Sequence, residues 1–354
     1  MTISILPKVS NITNFDSPTS AMAVTAKWTR LLADDALPRS SQTLTVVGDT
    51  AYVFGGEVKP REPVDSIVYH VSAKPGQSLQ NVSSVSTGKT APQARVGAAT
   101  TTLGSKIYVF SGRGGTAMAP IEENGSFWVF DTSDKTWSQL QPNDAGAACP
   151  VGRSYHTLTN DGKDTIFAHA GCPEKGRKQD LWSFNIHQHE WQELTPAPGP
   201  ERGGTSITYA HGKLYRMNGF DGKTEQGGAL DVFDIASNQW STIHFEPDGI
   251  SGPTPRSVGC LVAVSVDKKP SLVTMFGERD PSSLGHAGAG KMLCDIWLFD
   301  IESQTWKEVH PTGDTPSPRG WFDADAYHDT GVVVHGGLAE SNARIGDLWL
   351  LAFD

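Results

Sequence analysis

Three residues of one segment have the types and spacing to do chemistry: Glu278, Asp280 and His286, in Glu278-Arg-Asp280-Pro-Ser-Ser-Leu-Gly-His286. Two carboxylates and an imidazole can bind Fe(II) or Mn(II) while leaving coordination positions open. Without a metal, the same groups suit proton transfer. A second chemistry is anion binding. Arg39, Arg95, Arg153, Arg202, Arg256 and Arg319 recur at intervals of 56, 58, 49, 54 and 63 residues. A guanidinium fork matches the oxygens of a sulfate or carboxylate, or ties down carbonyls and carboxylates of its own protein. Both readings stay open at this level.

The spacing of these residues points to the elements that must carry them. Each arginine is followed 17 to 21 residues later by a glycine ending an apolar run: Gly56, Gly112, Gly171, Gly219, Gly277 and Gly337. After the glycine come a loop and a strand with period-two spacing, clearest in Asp180-Leu-Trp182-Ser-Phe184 and Asp295-Ile-Trp297-Leu-Phe299. A tryptophan then falls seven residues beyond the phenylalanine in Phe130/Trp137, Phe184/Trp191, Phe233/Trp240 and Phe299/Trp306. Four short strands per unit of about 50 residues make a Kelch blade, and six units make a six-bladed, all-β propeller.

The last unit stops after Asp347-Leu-Trp349 without a tryptophan strand, and Trp28-Thr-Arg-Leu-Leu32 supplies one before the first arginine. The N-terminal strand therefore closes the ring, which removes two open sheet edges. This divides the chain into a flexible lead-in, residues 1–27, and a propeller, residues 28–354. If strands run from inside to outside, the arginines and the post-glycine loops share one face, the mouth of a channel. The fifth such loop is the longest, 18 residues from Gly277 to Asp295, and it contains Glu278, Asp280 and His286. Glu57, Glu174 and Asp221 begin other loops of that face and read as surface carboxylates that could line it. His156, His169 and His335 fall in strands and read as structural.

Composition narrows the partners. A net charge of −10 disfavours nucleic acid and anionic membrane surfaces, which select a basic face. No apolar run is long enough to span a bilayer, and the lead-in lacks the charged and apolar regions of a signal peptide, so a cytoplasmic protein is expected. The four cysteines form no CxxC pair, which suggests neither zinc nor a disulfide framework. A small anionic molecule is the expected partner of a monomer or homodimer.

The residues Arg95-Val, Lys106-Ile-Tyr-Val-Phe110, Arg153-Ser-Tyr-His156, Phe276-Gly-Glu278 through His286, Pro318-Arg-Gly-Trp321 and His335-Gly-Gly337 give the chain a more specific likeness. From about Trp28 to its end it resembles the plant specifier proteins: epithiospecifier, nitrile-specifier and thiocyanate-forming proteins. The resemblance implies a non-redox, Fe(II)-dependent rearrangement or lyase reaction on glucosinolate aglucones, which are sulfated thiohydroximates. It implies iron ligands in a Glu-x3-Asp-x3-His loop, matched here by Glu278 and His286, with Ser282 in the middle place and Asp280 two residues before it. It also implies that Arg95 and Arg153 hold the sulfated group and that Trp321 is the channel tryptophan. Two other readings remain: a metal-free small-molecule isomerase or cyclase, as in sugar-acid mutarotases, and an interaction module that takes an acidic peptide in the mouth. The two differ in whether small-molecule turnover or one stoichiometric protein partner is found.

Overall fold

A computed structural model describes residues 24–33, 35–76, 82–85, 90–285 and 288–353. Among the described residues, six antiparallel sheets of four or five strands surround one axis, with two short two-stranded ribbons beside them. In the second blade, Ala99–Leu103 is innermost, followed outward by Lys106–Phe110, Phe127–Asp131 and Thr136–Leu140. Blades three to five repeat this order, and the first ends in the short outer strand Ser83–Val85. The sixth is completed as the sequence requires. Ala26–Leu32 pairs antiparallel with Arg344–Phe353, Trp28 opposite Leu351, and lies outside Gly331–Leu338 and Asp323–Tyr327.

The recurring tryptophans pack between blades. Trp137 meets Phe54 of the first blade at 5.3 Å, and Trp191 meets Phe110 of the second at 5.6 Å. Trp28 is 3% exposed and stacks on Phe276 of the fifth blade at 6.1 Å. It fills the same structural position although it lies at the other end of the chain. A stack of twisted sheets needs such bulky side chains to fill the wedge between neighbours.

The glycine and the arginine of the repeat explain each other. The amide of each repeat glycine donates to the carbonyl of the next blade's arginine: Gly56 to Arg95, Gly112 to Arg153, Gly171 to Arg202, Gly219 to Arg256, Gly277 to Arg319 and, across the closure, Gly337 to Arg39, all at 2.8–3.0 Å. These glycines have φ between 90° and 110°, a region open chiefly to residues without a Cβ. Two residues after each arginine a second ring closes on the axis. Ser41 N–H donates to Trp321 O, Trp321 to Val258, Val258 to Gly204, Gly204 to Tyr155, Tyr155 to Gly97 and Gly97 back to Ser41, at 2.8–3.1 Å.

All six members of the second ring have left-handed φ, from 47° at Val258 to 61° at Gly204. For a β-branched residue such as Val258 this conformation costs on the order of 1–3 kcal/mol and persists only where surrounding structure over-determines it. The ring supplies that determination, with each bond contributing a net ~1 kcal/mol.

The closure makes the first strand as important as any internal one. Deleting residues 28–32 is expected to abolish cooperative unfolding and cause aggregation, and Trp28→Ala is expected to cost about 3–5 kcal/mol in denaturant titrations. A wild-type unfolding curve from either variant would contradict closure through this strand.

Candidate functional site

The two rings decide which side chains reach the mouth. The residue after each repeat glycine pairs with the residue after an arginine, as in Val96 with Arg113, Ser154 with Cys172, Gly203 with Phe220 and Ser257 with Glu278. This sets six side chains around the mouth, one per blade: Glu57, Arg113, Cys172, Phe220, Glu278 and Leu338. Beneath them Tyr155 and Trp321, from opposite blades, meet edge to face with centroids 5.1 Å apart. Both residues line every one of three cavities: two in the mouth, and a central one of about 370 Å³ between the inner strands. The aromatic pair is the common floor. Gly97 makes room for it, since a Cβ there would lie 2.9 Å from the Tyr155 ring.

The mouth has two unlike halves. One, of about 200 Å³, contains Arg61, Arg113, Arg344 and Glu57. Its charges are largely spent: Arg344 pairs with Glu57 at 2.9 Å, and Arg113 donates to Ser154 Oγ and to the carbonyls of Met118, Cys172 and Pro173.

The other half, of about 130 Å³, combines Phe220 and Trp321 with Arg177, Glu225 and Glu278. The Arg177 guanidinium lies over Phe220 at 5.0 Å, and its buried Nε has no partner among the described residues. Glu225 Oε1 is likewise buried without a hydrogen-bond partner. Glu278 is 5% exposed and its Oε1 accepts the Gly290 N–H at 2.6 Å. Burial pushes the Glu278 carboxyl above the usual carboxylate range, against the Gly290 amide and the Trp321 side chain, which hold it down. Glu225 is raised too, first by burial and then by the charge of Glu278.

The repeat arginines lie on this face but turn away from the mouth. Arg39, Arg95, Arg153, Arg202, Arg256 and Arg319 are all at most 6% exposed. Each Nη1 donates to the carbonyl before its own repeat glycine, as in Arg95 to Ser111 O and Arg319 to Gly336 O. Four are forked onto carboxylates: Arg95 on Glu123, Arg153 on Asp180, Arg256 on Asp295 and Arg319 on Asp347. The spacing of the repeat gives their face, while the pull of buried carbonyls and carboxylates sets their direction. The expected ring of anion-holding arginines is corrected accordingly, for Arg95 and Arg153 as for the rest.

Trp321 lines both halves of the mouth. The proposed ligand trio is not assembled among the described residues. Glu278 points inward, whereas Asp280 is largely exposed beside Arg279 at 3.5 Å, and His286 lies outside the described residues. No group of three His, Cys, Asp or Glu side chains suited to a metal is found among those described. Glu57 reaches the mouth, Glu174 is exposed, and Asp221 caps a turn by accepting the amides of Lys223 and Thr224. His156, His169 and His335 are buried, and burial pushes them below the usual histidine range.

Arg177 and Glu225 escaped the sequence reading because neither has a fixed offset in the repeat. The ring at the position after the glycine does have one and was legible by aligning the six copies on that residue.

Comparison with known proteins agrees with this architecture. Residues 41–277 match the family model of the KLHDC2/KLHL20/DRC7 Kelch-repeats domain. The chain is 27% identical to an N-(sulfonatooxy)prop-2-enimidothioate sulfolyase of Thlaspi arvense, a specifier protein, over 89% of its own length and 92% of the relative's. It is 24% identical to the leucine-zipper-like transcriptional regulator 1 homolog of Drosophila melanogaster over 94% of its own length and 33% of that protein's. The solved structure described as YjhT superposes with a TM-score of 0.68 at 15% identity, covering 92% of this chain and 99% of that one.

At position 155 the left-handed backbone makes its own test. Glycine stands at the matching ring positions 97 and 204, so Tyr155→Gly is expected to be more stable than Tyr155→Ala by about 1 kcal/mol in denaturant unfolding. An alanine variant as stable as the glycine one would contradict the strained ring geometry.

Proposed function

The chain belongs to the Kelch-repeat family matched over residues 41–277, and from that premise we propose that it is an enzyme acting on a small anionic molecule in the Arg177–Glu278 half of the mouth. The reaction class is a non-redox rearrangement or elimination. One observation carries this reading: Arg177 Nε and Glu225 Oε1, both buried without a hydrogen-bond partner among the described residues, share one small, partly apolar pocket with the buried Glu278 carboxyl. Water-depleted sites holding perturbed carboxyl groups are where acid–base catalysis is arranged.

The substrate class comes from the Thlaspi arvense relative, whose name specifies a sulfonatooxy compound and a lyase. A sulfated thiohydroximate, or a metabolite with a comparable anionic leaving group, suits an arginine backed by an aromatic face. In this reading Arg177 holds the anionic group and Phe220 and Trp321 flank the organic part. The Glu278 carboxyl, whose acid form burial favours, gives its proton to the atom whose bond breaks, and that bond's electron pair leaves with the anionic group. Glu225 takes up the proton released from the rest of the substrate.

The test is turnover of a sulfated thiohydroximate by the purified chain. Glu278→Gln is expected to lower kcat at least about 100-fold with KM little changed. Arg177→Met is expected to raise KM. Because Glu278 must hold its proton and Glu225 must lack one, activity should be bell-shaped in pH, rising as Glu225 ionises and declining as pH rises through the raised Glu278 pKa, above the ordinary glutamate range. The declining limb should vanish in Glu278→Gln. No turnover by the wild type, or turnover indifferent to both substitutions, would overturn the proposal. Activity lost on chelation and restored by Fe(II) would move the chemistry from these carboxyl groups to a metal.

A further inference from the structure

The buried arginines are not all alike. Carboxylates accompany five of them: Glu123, Asp180, Asp295 and Asp347 at hydrogen-bonding distance, and Asp65 at 3.9 Å from Arg39. In four of these blades the carboxylate also accepts a tryptophan indole: Trp128 on Glu123, Trp182 on Asp180, Trp297 on Asp295 and Trp349 on Asp347. One buried cation, one carboxylate and one indole make a balanced unit.

The fourth blade breaks the pattern. Aligned on Phe184, Phe233 and Phe299, Ala229 takes the place of Asp180 and Asp295, and Asp231 takes the place of the tryptophan. Asp231 is engaged elsewhere, with Arg216 Nη1 at 2.6 Å and Thr242 Oγ1 at 2.7 Å. Arg202 donates Nε to Pro200 O and Nη1 to Asn218 O, and its Nη2 has no partner among the described residues. Arg202 thus has no carboxylate at hydrogen-bonding distance among the described residues, and feels Asp231 and Asp221 only through longer-range charge.

Other donors nearby are unmet as well. Arg216, fully buried, leaves Nη2 without a partner, and Asn218, 2% exposed, leaves both side-chain polar atoms without one. His169 adds no negative charge. It accepts from Arg216 Nε, and burial keeps it well below the usual histidine range. Burial, with the Arg216 charge second, holds Arg202 down at about 9. Arg202 Nη2 faces Gly199, where a Cβ would lie only 3.0 Å away. An uncompensated buried cation is costly, and a group that neutralises it while accepting its hydrogen bonds removes that cost.

We propose that the fourth blade binds a compact monoanion of carboxylate geometry at Arg202, in the place where the other blades carry a carboxylate of their own. The formate and acetate class matches the carboxylate that an aspartate at position 229 would have supplied, and Arg202 Nη2 is the donor that the ligand requires. The site is independent of the mouth and of any reaction there.

Thermal unfolding of the full chain at fixed ionic strength tests this, with sodium gluconate replaced stepwise by formate, acetate or chloride. Formate or acetate is expected to raise the wild-type Tm by about 2–4 °C at saturating concentration. Ala229→Asp, which supplies the carboxylate from within, should raise Tm in gluconate and remove the response. Arg202→Met should also remove the response, and it keeps the test decisive if Ala229→Asp fails to fold. A chloride response equal to that of formate would overturn the carboxylate geometry of the site. A wild type indifferent to all three anions, or an undiminished response in Arg202→Met, would overturn the proposal.

Discussion

The structure depends on a pair of closed rings of backbone hydrogen bonds around the channel axis. One joins each repeat glycine to the next blade's arginine carbonyl, and the other links the residues two places beyond the arginines. Because both are cyclic, no blade can shift without breaking bonds to both neighbours. The arginine side chain fastens the same corner from within by bonding the carbonyl before its glycine. Signature residues that look available for ligand binding are thereby consumed in holding six sheets in register. The closing strand Ala26–Leu32 does for the outer edge what the rings do for the inner one.

A scaffold fixed in this way leaves two kinds of position free to vary, the side chain after each glycine and the side chain two after each arginine. Function follows from what occupies them. Tyr155 and Trp321 floor the mouth, while glycine at 97 and 204 leaves space beside them. Around the rim, Arg113 and Glu57 are spent on internal partners, whereas Phe220 and Glu278 face a pocket shared with Arg177 and Glu225. The asymmetry of the mouth arises from six side chains on a nearly symmetric frame. An arginine over an aromatic ring beside buried carboxyl groups has the chemistry to hold an anion and move a proton.

How much of this was legible follows from what a repeat can encode. Six copies of arginine, glycine and tryptophan gave the blade number, the strand order and the closure through Trp28, because each depends on spacing alone. The repeat glycines are sites of close backbone approach, as at Gly56, where a Cβ would lie 2.8 Å from Ser40 O. Spacing also put the arginines on the right face but not in the right direction, since direction is set by acceptors such as Glu123 and Asp180, far along the chain. Arg177 and Glu225 sit in loops of unequal length, where offsets carry no signal. The exception in the fourth blade, Ala229-Leu-Asp231 for Asp-x-Trp, was visible as a broken motif. Its meaning required Arg216, a cation at a position where other blades place apolar or neutral residues such as Val109, Ala168 and Thr274.

The central claim is that the inner ring is one cooperative unit. Native-state hydrogen exchange at the amides of Ser41, Gly97, Tyr155, Gly204, Val258 and Trp321 measures it directly, since each of those amides is a donor in the ring. All six are expected to exchange only through global unfolding, with one common free energy equal to that from denaturant titration. Exchange of individual members through separate local openings of much lower free energy would contradict it.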